Sequence, residues 1–282
     1  MKGALVRKTV RDARAVTFGV SAAFFLITLL TAVSYAPFRD QLEEFELSED
    51  LLAFFGGISS IATPEGYYVS QVFAYGALLL AVIGIVAGTA AVAGEEAAGT
   101  LDLLLAQPVR RRTVLFSKAA GILLALLAAS AASLLGFLAA APFTELGIGL
   151  DALGVAHWHM LHQAVLFSAL ALIGSAALPT RAQAAVVSAG AMVLLWVGAG
   201  LGAIAEPLSF FRDISPFAWT NFERAMLGSG EWRGAALDLA LSAAFVLAAA
   251  AAFERRDLVA GPRERGQLLP LPLLRRARAG SE

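Results

Sequence analysis

Six long stretches of this 282-residue chain lack the charges that a water-facing surface requires. Residues 15–38, 66–94, 119–144, 152–180 and 182–205 contain no Asp, Glu, Lys or Arg, and residues 234–253 contain only Asp238. Each is long enough to cross the hydrocarbon core as a helix, which takes about 20 residues. None alternates polar and apolar residues as a barrel strand does, so helices are what can satisfy the backbone in lipid. Composition agrees, with 59% apolar and 15% charged residues, against roughly 45–50% and about 25% in soluble domains. The expected fold is an all-α integral membrane protein of six transmembrane helices. They are placed at about 15–36, 70–94, 119–141, 157–178, 183–205 and 234–253.

Basic residues set the orientation. Five Lys and Arg precede the first span, four lie between the second and third, Arg181 follows the fourth, and seven (Arg255, Arg256, Arg263, Arg265, Arg275, Arg276 and Arg278) follow the last. The opposite side has only Arg39, Arg212, Arg224 and Arg233. Positively charged flanks stay in the cytoplasm, so both termini are expected there. Ser34-Tyr35-Ala36 has the look of a cleavage site, but the apolar run before it exceeds the 7–15 residues of a signal peptide. Residues 1–14 carry Arg7, Arg11 and Arg14 beside Val6, Val10 and Ala13, the pattern of an amphipathic interface helix on the inner leaflet. Residues 15–253 form the transmembrane domain and 254–282 a basic cytoplasmic tail, suited to anionic lipid or a soluble partner. Outside, Ser48 is placed to cap a short helix that Gly56-Gly57 ends. The aromatics Phe210, Phe211, Phe217, Trp219, Phe222 and Trp232 read as a headgroup belt, or as a surface gating a substrate. Gly84 with Gly88, and Gly198 with Gly202, are spaced for close helix packing within one bundle or between two copies.

Several chemistries are excluded or weak. The chain has no cysteine, which removes disulfides, thiolate metal sites and cysteine nucleophiles. No Gly-x-x-x-x-Gly-Lys-Ser/Thr phosphate loop and no His-Glu-x-x-His zinc motif occur. Gly147-Ile148-Gly149-Leu150-Asp151 approaches an aspartyl membrane-protease motif but has one residue too many. His157, His159 and His162 stand at the outer start of the fourth span, where interfacial histidines beside Trp158 are the plain reading. His159 and His162 share a face and are the metal or proton candidates, whereas His157 points elsewhere. Asp238, an ionisable group inside a span, is a possible intramembrane polar site; lying within a turn of the outer surface, it is expected to be solvated.

The most informative stretch is the loop at 95–112. Glu95 and Glu96 open it, Leu101, Leu104 and Leu105 form a stripe at i, i+3, i+4, Pro108 ends the helix, and Arg110, Arg111 and Arg112 follow. An acidic start, an apolar stripe and a basic exit suit docking in a protein groove. The pattern Glu95-Glu96-x-x-Gly99-Thr100-Leu101-x-Leu103-Leu104-Leu105-x-x-Pro108-Val109-x-Arg111, followed by Lys118, resembles the loop of type-two ATP-binding-cassette (ABC) transporter permeases. Pro64-Glu65-Gly66-Tyr67 and Phe253-Glu254-Arg255-Arg256-Asp257-Leu258 are similar to one subgroup. Arg110 departs from the small residue of the family pattern.

The resemblance implies a permease subunit of an exporter, coupling ATP hydrolysis by a separate ATPase to substrate movement. The cytoplasmic helix at about 95–107 would be the coupling helix. Glu95, Glu96, Gly99, Thr100, Leu101, Leu104, Leu105, Pro108 and Arg111 would form the transmission surface, with the leucines filling the partner's groove. The implied partners are two copies of an ABC ATPase, a second permease copy (homodimer) or a related permease, and the lipid bilayer, with no nucleic acid. No cofactor binds directly; ATP and Mg act through the ATPase, and the chain is not an enzyme by itself. The implied location is the plasma membrane of a bacterium or archaeon. The apolar pathway leans toward a lipid, hydrophobic drug or peptide. An intramembrane enzyme such as a protease, and a non-transporting assembly factor, are the rival readings.

Overall fold

A computed structural model describes residues 2–44, 47–229 and 232–256. The expected basic tail, with Arg263, Arg265, Arg275, Arg276 and Arg278, lies outside them from residue 257 onward, as does the end of the 253–258 motif. The described chain runs α1 (Lys2–Asp12), α2 (Arg14–Glu44), α3 (Glu49–Phe54), α4 (Pro64–Ala97), α5 (Leu101–Leu105), α6 (Arg111–Ala140), α7 (Leu150–Ala177), α8 (Arg181–Ile204), α9 (Phe210–Ile214), α10 (Phe222–Met226) and α11 (Trp232–Arg255). No strand occurs among the described residues. Six helices, α2, α4, α6, α7, α8 and α11, are long and apolar enough to cross a membrane. The protein is an all-α, six-span membrane protein.

α2, α4, α6 and α11 run further than the apolar stretches that announced them, and side-chain caps start α4 and α8. Thr63 Oγ1 accepts from Gly66 N and Pro64 opens α4; Thr180 and Gln183 form a reciprocal capping box at α8. Ser48 caps α3 as expected, accepting from Leu51 N, and Gly56 and Gly57 end it with φ of +96° and +69°.

The centre of the bundle is α7, 72% buried over its most apolar window, with α4 beside it at 67%; α2, at 22%, lies on the outside. α7 touches α4, α6, α8 and α11, and α2 lies along α6. Gly84 and Gly88 let α4 close on α7: a Cβ on Gly84 would overlap the Ser168 side chain, and one on Gly88 would meet Ala171 at 3.0 Å. Gly198 and Gly202 are covered by Phe211 and Leu208. Both glycine pairs therefore pack within one chain.

α1 is amphipathic, yet protein covers its apolar side. Thr9 and Ala13 are buried while Arg7, Arg11 and Arg14 are exposed. The seat is Gly121 of α6, where a Cβ would fall 2.7 Å from Thr9 Cβ. The expected surface helix is a strut against the third span.

α4 contains two widened π turns, Val69–Phe73 and Ala90–Gly94. A π turn breaks the α pattern and frees backbone groups that must find other partners. At the second, Ser175 of α7 supplies them. Its Oγ accepts from Val92 N and Ala93 N, each at 3.0 Å, and donates to Thr89 O at 2.9 Å. Ser175 is fully buried. Ser175→Ala should cost about 1–3 kcal/mol, the penalty for stranding buried polar groups. Thermal unfolding in detergent reads this, and an unchanged melt would show that the turn satisfies itself.

Candidate functional site

The loop between α4 and α6 is a short knuckle strapped into the bundle at both ends. Gly99 takes φ +68° and breaks the chain between Ala97 and Leu101. That backbone region strains any residue with a Cβ. The expected helix over 95–107 is consequently two pieces: the last turn of α4 and the five-residue α5. Gly99 shapes the turn before α5, and Pro108 is exposed beyond it.

The first strap is Glu95, which is 7% exposed. Its Oε1 accepts from Lys118 Nζ of α6 at 2.7 Å and from Lys8 Nζ of α1 at 2.5 Å. Thr100 Oγ1 donates to the same carboxylate and, at 3.2 Å, to Glu95 O. One buried carboxylate thus joins α1, the end of α4, the base of α5 and the start of α6. Lys8 also meets Asp12 at 2.9 Å. Burial alone pulls the Lys8 ammonium down, but its bonds to Glu95 and Asp12 outweigh that and hold it above the ordinary lysine value.

The second strap involves Glu96, which binds Arg256 Nη2 at 2.6 Å and Nε at 3.1 Å. Arg256 Nη1 also donates to Ser175 O, Ala176 O and Leu178 O at 3.3, 2.9 and 3.0 Å. These carbonyls sit at the end of α7, where the last carbonyls of a helix have no partner of their own. Arg111 does the same for α11, donating to Phe253 O, Glu254 O and Arg256 O at 2.9, 3.3 and 2.7 Å. Its guanidinium lies over the Phe253 ring, 5.6 Å from the centroid. Arg112 pairs with Glu254 at 2.5 Å in an exposed contact, of a kind that adds little stability.

The leucine stripe faces the opposite way from the sequence expectation. Leu101 is 1% exposed, and Leu104 and Leu105 are half-buried against the protein's own core. What α5 and the two residues after it offer outward is Asp102, Leu103, Ala106 and Gln107, with Leu103 71% exposed. A stripe at i, i+3, i+4 shows that a helix has an apolar face; it does not say whose groove that face fills. Glu95 and Glu96 are likewise internal anchors. Sequence reasoning missed Lys8 as a partner of Glu95 and Arg256 as the cap on α7. The only sequence signal was the carboxylates themselves, since one buried beside a membrane must find a cation.

A family comparison agrees with this architecture. The description ABC-2 family transporter protein matches residues 5–258, nearly the whole chain. The chain belongs to the ABC-2 transporter family. No curated protein matches it. As an ABC-2 protein with six apolar helices, it is a multi-pass membrane protein and a transporter permease. The match spans α1 through α11, so the knuckle and both its straps lie inside the family region.

The histidines and Asp238 of this ABC-2 protein are not at a wet interface. His159, His162 and Asp238 are 0%, 1% and 0% exposed. They form a chain: His159 Nδ1 to His162 Nε2 at 2.9 Å, and His162 Nδ1 to Asp238 Oδ2 at 2.7 Å. The expected solvation of Asp238 is overturned, because α11 turns it onto the central helix α7. His157 points elsewhere, as expected, bonding Leu153 O at 2.7 Å and Ser133 Oγ at 3.0 Å. No group of three or more His, Asp or Glu spaced to hold a metal occurs among the described residues.

Proposed function

We propose that this ABC-2 permease is the membrane subunit of an ATP-driven exporter whose force enters through the knuckle at 98–108. The observation that carries this reading is mechanical. The tip of the loop is exposed, while its two ends are anchored by Glu95, Glu96 and Arg111 to α1, α6, α7 and α11. Displacement of the tip is therefore passed to three spans beyond α4 without a slack segment between.

In this reading the knuckle faces the cytoplasm. It shares an end of the bundle with Arg7, Arg11, Arg14, Arg110, Arg112, Arg181 and Arg255, which matches the bias of cytoplasmic flanks. A separate ABC ATPase, in two copies, docks on Asp102, Leu103, Ala106 and Gln107, and two permease copies pair around the pathway in the plasma membrane. ATP and Mg act on the ATPase; this chain transmits.

The test is Leu103→Arg. Leu103 is exposed, so the substitution leaves the fold intact, whereas a charge at Leu101 would unfold the knuckle. The expected result is loss of ATPase copurification, or a drop of at least tenfold in permease-stimulated ATP hydrolysis, with an unchanged thermal melt. Normal copurification and stimulation would overturn the docking surface.

A further inference from the structure

The end of the bundle away from the knuckle holds a cavity of about 510 Å³. Small-molecule sites span about 300–1,000 Å³. Its wall includes Phe54 from the end of α3, Trp196 of α8, and Arg212, Thr220 and Arg224 from the segment joining α8 to α11. The wall is held in place. Trp196 Nε1 donates to Ala74 O at 2.8 Å, and its ring meets Phe54 edge-on with centroids 5.9 Å apart. A Cβ on Gly200 would lie 2.6 Å from the Phe54 ring, so the glycine lets that ring lie against α8. Asn221 Nδ2 donates to Gly56 O and Gly57 O at 3.0 and 3.2 Å, tying α3 to the opposite wall.

Three polar side chains of this wall, those of Thr220, Arg212 and Arg224, are unmatched among the described residues. Thr220 is 3% exposed, and its hydroxyl has no hydrogen-bond partner. Arg212 and Arg224 make no ion pair among the described residues. Glu223, next to Arg224 in sequence, is turned away to Ser59, accepting from its N at 2.6 Å and its Oγ at 2.5 Å. Two guanidiniums, a waiting hydroxyl and an aromatic, small-residue wall complement a molecule with an anionic head and an apolar body.

We propose that this cavity binds an anionic amphiphile, its phosphate or carboxylate held by Arg212 and Arg224 with Thr220 donating, and its tail along Phe54, Trp196 and α8. The proposal deepens the permease reading by naming a class of transported molecule, and rests on it for that purpose alone.

Binding is measured on the intact chain in a neutral maltoside detergent, without any ATPase. A dodecyl phosphate brominated in its tail is titrated while tryptophan fluorescence is followed. Trp196 lies in the wall, and Trp196→Phe separates its signal from Trp158, Trp219 and Trp232. Saturable quenching is expected, lost in Trp196→Phe and weakened at least tenfold in Arg212→Gln/Arg224→Gln. Both arginines are exposed, and an unchanged melt confirms that the double variant is folded. Inorganic phosphate at equal concentration should not compete, because the tail is part of the recognition. The proposal fails if a brominated neutral alkyl glycoside quenches equally, if the double variant binds as tightly as the parent, or if free phosphate displaces the probe. Expected quenching from a chain that recruits no ATPase would sink the permease reading and leave the site; the converse pattern would sink the site alone.

Discussion

Glu95→Ala is expected to destabilise the protein more than any other single change in the loop, by about 3–5 kcal/mol, the usual cost of removing one partner of a buried ion pair. The reason is Lys118, whose side chain is 7% exposed and whose ammonium is left without its carboxylate. Lys8 suffers less, since its side chain is 37% exposed and keeps Asp12. The effect is therefore testable by rescue. Glu95→Leu combined with Lys118→Met removes both buried charges, and such replacements are often neutral. The combined variant should regain most of the melting temperature that Glu95→Ala loses, with non-additivity showing the coupling. It should still fail to transport, because the tie between α1, α4, α5 and α6 is gone. If Glu95→Ala melts like the parent, the carboxylate is not the knot described above.

The second large effect belongs to the other end of the bundle. Asp238→Ala should cost about 1–3 kcal/mol for the stranded His162 Nδ1, the range for an unsatisfied buried donor, plus the contacts of the lost carboxyl group. Asp238→Asn keeps an acceptor for His162 and should cost less than half as much. Thermal unfolding in detergent compares them. Equal losses would mean that shape, and not the hydrogen bond, holds α11 against α7. His162→Phe in the Asp238→Leu background should recover only part of the loss, since it removes the polar pair between α7 and α11 but takes from His159 Nδ1 its partner.

What could be read from the sequence follows from what lipid demands. Every span must be apolar along its length, so residues 15–38 or 182–205 announce themselves without reference to any other part of the chain. Which span is central is another matter. A helix apolar all round looks the same facing lipid or protein, and so His159, His162 and Asp238 read as residues of a wet rim. The one available hint was that α7 has the lowest mean hydropathy of the six spans, as a helix surrounded by other helices can afford more polar atoms. The knuckle was legible in its parts: Gly99 and Pro108 bracket α5, with acidic residues before it and basic residues after it. Its orientation was not. Leu101 and Leu103 are equally apolar, and only the packing of α5 against the bundle makes one an anchor and the other a surface. Lys8 and Arg256 lie 87 and 160 residues from Glu95 and Glu96, separations at which local spacing carries no information.

The widened turn at Ala90–Gly94 has a consequence for how α4 delivers its last residues. A helix is a screw, and one more residue wound into regular turns rotates everything past it by roughly 100°, the angular step of a residue at 3.6 per turn, whereas a widened turn takes that residue up locally. Rewound as a uniform thread with no residue removed, α4 would swing Glu95 around its axis and away from Lys8 and Lys118, and Glu96 away from Arg256. The angle at which the knuckle is aimed is thus dialled in one turn upstream, by a serine on a neighbouring helix that keeps that thread open.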